Sequence, residues 1–389
     1  MKKVVFFIFS LFFFCFSVYA EDFDITGEYV SLYNMNEDLL LYSKNDTKKT
    51  SIASLTKMMT TLVAIEEIDD LDEIVTIKER DFDGTVGYSK AGFKVGDKVT
   101  YRDLLYGIIL PSGADAVNAI VNNTLGYEKF IKKMNETAKK IGMNDTSYAN
   151  PIGKDDEFNY STSSDLAKLL KYALKNETFK NIFTTKSYKT SNGLNLESTV
   201  NSYKNILNTD EIKGAKSGFT KDAGRCLASI TTLNNVDYLL VVINSSTTNP
   251  YNAVKDTITI YDYYSNNYGY KNIINDDTFI KEIPIDLSKE KKYKITGSEE
   301  IEKYLKNDTE VTYEYVGSDK ITFNTKKGSK LGVVNIYNGD VLLATTNVYL
   351  ENNIEYYPII TYILIGIAII FVLLIIRRLN KKKHRRKRR

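Results

Sequence analysis

The sequence predicts an α+β protein: an antiparallel sheet covered by helices, followed by a small all-β domain and one C-terminal transmembrane helix. Three observations carry this. Strand-like runs with hairpin turns flank a stretch of helical periodicity on both sides. From about residue 276 to residue 352 no long helical pattern recurs. Residues 357–376 are uncharged and apolar throughout, about 30 Å of helix at ~1.5 Å per residue, which is one hydrocarbon core.

The elements follow in order. Lys2 and Lys3 precede an apolar run that closes in Val18-Tyr19-Ala20, the layout of a secretory signal peptide over residues 1–20. "GEYVSLYNMNEDLLLYSKN" reads as a hairpin turning at residues 34–37. After it, Leu55, Met58, Met59 and Leu62 recur at i, i+3, i+4 and i+7, predicting a helix with one buried face. "VTYRDLLYGIILP" carries Thr100 and Asp103 at capping-box spacing and stops before Pro111. "YEKFIKKMNETAKKIGM", with Gly142 near its end, and "STSSDLAKLLKYALKN" are further amphipathic helices.

From Lys213 the period changes. "AGRCLASITTL" and "DYLLVVIN" are adjacent antiparallel strands joined at Asn234-Asn235, and a helix over residues 251–264 follows. The first hairpin and these last strands are expected in one sheet. In the all-β segment, Asn338-Gly339 between two apolar runs is a strong hairpin signal. The expected division is a signal peptide to residue 20, a main domain over 21–270, an all-β domain over 276–352, a membrane span over 357–376 and a basic tail over 377–389.

That tail, "RRLNKKKHRRKRR", holds ten Lys or Arg in thirteen residues. Basic residues directly after an apolar span mark the cytoplasmic side, so the main body is expected outside the cytoplasmic membrane. Removing the ten tail cations, Lys2 and Lys3 from the formal charge of +3 leaves −9 for the rest. A mildly acidic body is no nucleic-acid binder. Of the two cysteines, Cys15 lies in the signal and Cys226 stands alone, so no internal disulfide can form in the exported body.

The single histidine, His384, is in the tail. A body without histidine cannot run a Ser-His-Asp or Cys-His mechanism, and it lacks the usual zinc ligands. Nucleophilic hydrolysis would then need another base, and a lysine serves once it has lost its proton. "SIASLTKMMT" sets Ser54 three residues before Lys57 in an apolar helix, so both side chains share one helix face. If that face is shielded from water, desolvation lowers the lysine pKa and a neutral Lys57 can deprotonate Ser54. The spacing alone is unspecific: Ser288 and Lys291 repeat it in the polar "LSKEKK".

Two further segments make the pattern specific. "LPSGADAVNAI" sets Ser112 in a turn between helices, and "GAKSGFTKDAGRC" opens a strand with Lys216-Ser217-Gly218. The order S-x-x-K, a middle serine, then K-[ST]-G is that of penicillin-recognising serine enzymes. With "ASLTKMMT", "DLLYGIILPSGADA" and "GAKSGFTKDAGRCLAS", residues 27–264 resemble the low-molecular-mass penicillin-binding D-alanyl-D-alanine carboxypeptidases, peptidase family S11.

The resemblance implies the β-lactamase and penicillin-binding-protein type of fold. It implies Ser54 as acyl-forming nucleophile, Lys57 as its base and Ser112 as a proton relay. Lys216 and Ser217 would hold the substrate carboxylate, with Lys216 also depressing the pKa of Lys57. Gly218 would admit the substrate backbone, and the N–H groups of Ser54 and Phe219 would form the oxyanion hole. The partners implied are peptidoglycan stem peptides ending in D-Ala-D-Ala, β-lactams and the cytoplasmic membrane; no cofactor is implied. Two positions depart from the family: Ala114 stands where asparagine is usual, and Ser217 where threonine is common. Ala114 keeps open a cell-wall peptide-binding protein of weakened turnover, beside a β-lactamase-like acyl hydrolase. Arg225 reads either as extra positive charge for a carboxylate or as a sheet-surface arginine.

Overall fold

A computed structural model describes residues 23–323 and 325–386; the signal-peptide segment lies outside them. The chain divides into two compact units, the first ending at Asn266 and the second beginning at Asn267. The expected boundary near residue 270 therefore moves upstream. The reason is that Tyr268–Ile274 pairs with Ile301–Lys306, which commits it to the second unit.

The first unit is built on a five-stranded antiparallel sheet. Its strands are β1 (Tyr29–Asn34), β2 (Leu39–Lys44), β3 (Gly214–Thr220), β4 (Gly224–Leu233) and β5 (Val236–Ser245), in the spatial order β2-β1-β5-β4-β3. The first hairpin and the last three strands thus form one sheet, with Tyr29 opposite Ile243 and Gly218 opposite Cys226. β3 is an edge among the described residues.

Helices cover both faces. Leu239, Val241 and Ile243 of β5 join the large core with α1 (Thr56–Glu67), α2 (Tyr101–Ile109), α3 (Ala114–Asn123), α4 (Tyr127–Lys140), α5 (Ser163–Ala173) and α6 (Glu177–Thr184). On the other face α7 (Asn252–Asn267) sets Tyr261 against Tyr238, with its hydroxyl 2.9 Å from Ser229 Oγ. A strand covered on both sides needs apolar residues at every position, which explains the unbroken "YLLVVI". The capping box at α2 is present: Asp103 N–H donates to Thr100 Oγ1, and Asp103 accepts from Thr100 N–H.

α1 differs from its expected amphipathic form. Residues 56–64 are all buried, because α2 to α6 surround the helix. Its polar groups therefore find partners inside; Thr60 Oγ1 donates to the Pro151 carbonyl at 2.7 Å. That burial determines the chemistry of Lys57.

Among its described residues the second unit holds seven strands: β6 (Tyr268–Ile274), β7 (Phe279–Pro284), β8 (Lys292–Thr296), β9 (Ile301–Lys306), β10 (Thr312–Gly317), β11 (Lys330–Asn338) and β12 (Val341–Tyr349). β6 pairs with β9, β7 with β8, and β11 lies between β10 and β12. Their core is aliphatic, including Ile295, Ile321, Val334, Ile336 and Leu350. α8 (Ile359–Arg386) follows, and Thr361–Lys381 within it is long and apolar enough to cross a membrane, with none of that stretch buried.

Candidate active site

Ser54 sits in a single 3₁₀ turn, Ala53–Leu55, that leads directly into α1. Ala53 holds a left-handed φ of 46°, a conformation that costs a residue with a Cβ about 1 kcal/mol. The turn is held from both sides. A Cβ on Gly153, whose φ is 86°, would lie 2.0 Å from the Ala53 carbonyl oxygen. One on Gly218 would lie 3.0 Å from the Ser54 nitrogen and 3.1 Å from Ala53 Cβ. Glycine at both positions lets β3 and the loop after Pro151 close on the serine turn.

Lys57 Nζ lies 2.9 Å from Ser54 Oγ and 2.7 Å from the Ile152 carbonyl, and the residue is 1% exposed. Burial pulls its pKa from 10.5 to about 7, against the opposing pull of the Asp115 carboxylate. A neutral amine has two N–H donors and one lone pair. With one N–H on the Ile152 carbonyl, the lone pair is free for the Ser54 hydroxyl, which is the arrangement a base needs. Asp115 is itself fixed, accepting from Ala91 N–H at 2.7 Å and Gly92 N–H at 3.2 Å.

Lys216 is equally buried, and its Nζ donates to the Ser217 carbonyl at 2.8 Å. Its pKa falls well below the ordinary lysine value, first through burial and then through the charge of Lys57. The two buried ammonium groups thus oppose each other's charge. Asp115 acts the other way on Lys57, helping it keep its proton.

Ser112 lies between α2 and α3 with φ 66°, and its buried hydroxyl has no hydrogen-bond partner. A buried orphan hydroxyl carries a desolvation cost of about 1–3 kcal/mol, one that a bound polar group would remove. Ser54, Ser112, Ser217, Gly218 and Phe219 all line one open cleft of about 510 Å³. Arg225 also lines it, opposite Phe219 in the β3–β4 register, with its guanidinium 4.0 Å from the Phe219 ring centre and its Nε unpartnered. Ala114 opens α3, fully buried, and gives its N–H to the Ser89 carbonyl. Ser288, the second match to the serine–lysine spacing, is in the other unit and donates to the Glu355 carbonyl.

Sequence reasoning missed Asp115, the Ile152 carbonyl and Gly153. Asp115 stood in the quoted "LPSGADAVNAI", and Asn150-Pro151-Ile152-Gly153 carries a turn signature. Asn150 Oδ1 accepts from Gly153 and Lys154 N–H, folding that carbonyl toward Lys57.

The chain resembles known proteins of one family. The D-alanyl-D-alanine carboxypeptidase family, Peptidase_S11, matches residues 17–247. The D-alanyl-D-alanine carboxypeptidase DacF of Bacillus subtilis is 28% identical over 331 residues, spanning 83% of this chain and 85% of that protein. A D-alanyl-D-alanine carboxypeptidase of Streptomyces sp. strain K15 is 33% identical over 222 residues, 53% of this chain and 76% of its own length. Among solved structures, penicillin binding protein 5 of Haemophilus influenzae superposes with a TM-score of 0.61 at 21% identity, covering 86% of this chain and 99% of that one. With the family match covering more than half its length, this chain belongs to the D-alanyl-D-alanine carboxypeptidases of peptidase family S11.

Proposed function

We propose that this protein is an exported, membrane-anchored serine carboxypeptidase that removes the terminal D-alanine from peptidoglycan stem peptides and is acylated by β-lactams at the same serine. The observation that carries this is Lys57 Nζ, 2.9 Å from Ser54 Oγ, with a pKa near 7 in a body without histidine.

The substrate lies along the free edge of β3, its terminal carboxylate toward Lys216 and Ser217. The carboxylate favours the charged form of Lys216, and that ammonium in turn disfavours charge on Lys57, since two buried cations resist each other. Arg225 adds charge at the same end of the cleft. Lys57 takes the Ser54 proton as Oγ attacks the penultimate carbonyl, whose oxygen gathers charge toward the N–H groups of Ser54 and Phe219. The C–N bond breaks, and the leaving amine receives the proton from Lys57 by way of Ser112. Water, deprotonated by Lys57, hydrolyses the acyl-serine and releases the shortened peptide.

Incubation with a pentapeptide ending in D-Ala-D-Ala should yield the tetrapeptide and free D-alanine by mass analysis. A fluorescent penicillin should label the wild type and Ser288→Ala covalently but not Ser54→Ala. Labelling that survives Ser54→Ala sinks the assignment. Labelling without pentapeptide turnover would favour the weakened peptide-binding reading, for which Ala114 speaks.

The anchor is α8, with the body outside and the basic tail inside, on the strength of the apolar stretch Thr361–Lys381 and the cations beyond it. Protease added to intact wall-less cells should digest the body and spare a small fragment that carries the tail. A fully protected body would overturn this orientation.

A further inference from the structure

The β unit enters α8 without a stalk. Pro358 alone separates Ile359, the first residue of α8, from Tyr357, whose N–H donates to the Leu287 carbonyl at 2.7 Å. One residue earlier, the Tyr356 hydroxyl donates to the carbonyls of Thr322 at 2.8 Å and Thr325 at 3.2 Å. Lys289 N–H donates to the Glu355 carbonyl. Loop 286–290, residues 319–323 and residues 325–327 are thereby tied to the segment that feeds the helix.

The helix has no length to spare. From Ile359 to the residue before Arg377 it is apolar, about 27 Å at ~1.5 Å per residue, against about 30 Å of hydrocarbon. The headgroup layer adds roughly 5–8 Å on each side. A segment that ends two residues before the helix, and the loops bonded to it, must then lie within that layer.

These loops present apolar side chains outward. Leu287 is 49% exposed and Phe323 57% exposed. Leu287 also holds a φ of 57°, a left-handed conformation unfavourable for a bulky residue. Two large apolar side chains held outward are poor choices for loops in water and reasonable ones for loops in lipid. Charge is balanced: Lys289, Lys320, Lys326 and Lys327 are matched by Asp286, Glu290, Asp319 and Glu355, and two pairs are closed, Lys289 with Glu355 and Lys320 with Asp286.

We propose that loop 286–290, residues 319–323 and residues 325–327 form a second membrane contact, in which Leu287 and Phe323 insert among the outer headgroups of the bilayer that α8 crosses. This rests on the membrane-span reading above. The contact fixes the height of the β unit on the membrane. With no net charge in the two loops and residues 355–357, its attraction is apolar.

The chain contains no tryptophan, so a single introduced tryptophan reports alone. Four full-length variants in lipid vesicles test the proposal: Leu287→Trp, Phe323→Trp, Ile369→Trp in the span and Val341→Trp. Val341 is exposed at the β11–β12 hairpin tip, the far end of nine-residue strands, about 25 Å from the loops by strand rise. Emission from Leu287→Trp and Phe323→Trp should shift to the blue and be lost to lipids brominated near the headgroup, equally in low and high salt. Val341→Trp should keep its emission, and Ile369→Trp should be quenched by deeply brominated lipid. If Ile369→Trp is quenched while the loop tryptophans behave like Val341→Trp, the second contact is wrong and the anchor stands. If the loop quenching disappears in high salt, the apolar insertion is wrong. If Ile369→Trp is unquenched, the anchor reading fails and the second contact with it.

Discussion

Lys57→Arg acylates Ser54 ~10²–10⁴-fold more slowly than the wild type, the span that a lost general base commands. The substitution keeps a cation beside Ser54 Oγ, so a lysine that merely paired with Asp115 would tolerate it. A base would not, because arginine stays protonated at any working pH and has no lone pair to offer. The wild-type acylation rate should climb as pH rises through about 7, where Lys57 releases its proton, and then level off. The arginine variant should show no such rise. Lys216→Arg supplies the contrast, since holding a carboxylate needs charge more than basicity, and only partial loss is expected. The measurement is the acylation rate of each variant by a fluorescent penicillin against pH, with a thermal melt to confirm folding. A folded Lys57→Arg protein that acylates near the wild-type rate would remove lysine from the base role.

Much of this site was legible because its chemistry is local in sequence. Ser54 and Lys57 are one helical turn apart, and the absent histidine left lysine as the base. Thr100 and Asp103 announced the start of α2 through a contact that spans three residues. The groups that stayed hidden act across long separations. Ile152 reaches Lys57 from 95 residues away. Asp115 acts through space on a helix it does not belong to. The apolar period of α1 predicted one buried face, but a period cannot report that five helices enclose the remainder. Gly153 and Gly218 are informative only once the serine turn is in place, because each is required by what a Cβ would strike. Tyr268–Ile274 runs straight on from α7, and only its partner strand, some thirty residues later, assigns it to the second unit.

Lys57→Met should give a protein that is inactive and more stable. Holding Lys57 near 7 rather than 10.5 corresponds to about 5 kcal/mol of desolvation cost carried by the folded state. Methionine fills similar space without a charge, though it leaves the Ile152 carbonyl unpaired at about 1–3 kcal/mol. A net gain of roughly 2–4 kcal/mol remains, or roughly 5–10 °C in the melting temperature of a unit this size. Its sign against pH follows from proton counting. Between about 7 and 10.5 the unfolded chain keeps the Lys57 proton and the folded protein does not, so wild-type stability rises with pH in that window. Below 7 both states hold the proton and the cost is complete. The advantage of Lys57→Met should therefore be largest at and below pH 7, then shrink by about 1.4 kcal/mol per pH unit as the wild type recovers. Removing Lys57 also relieves Lys216, which should regain basicity once the neighbouring charge is gone. Thermal melts of both full-length proteins from pH 6 to 10 decide it. A variant less stable than the wild type at pH 6, or an advantage that does not change with pH, would mean that Lys57 is solvated and not poised. The same buried charge that destabilises this fold is what lets a lysine act as a base at neutral pH, so activity and stability are opposed at this residue.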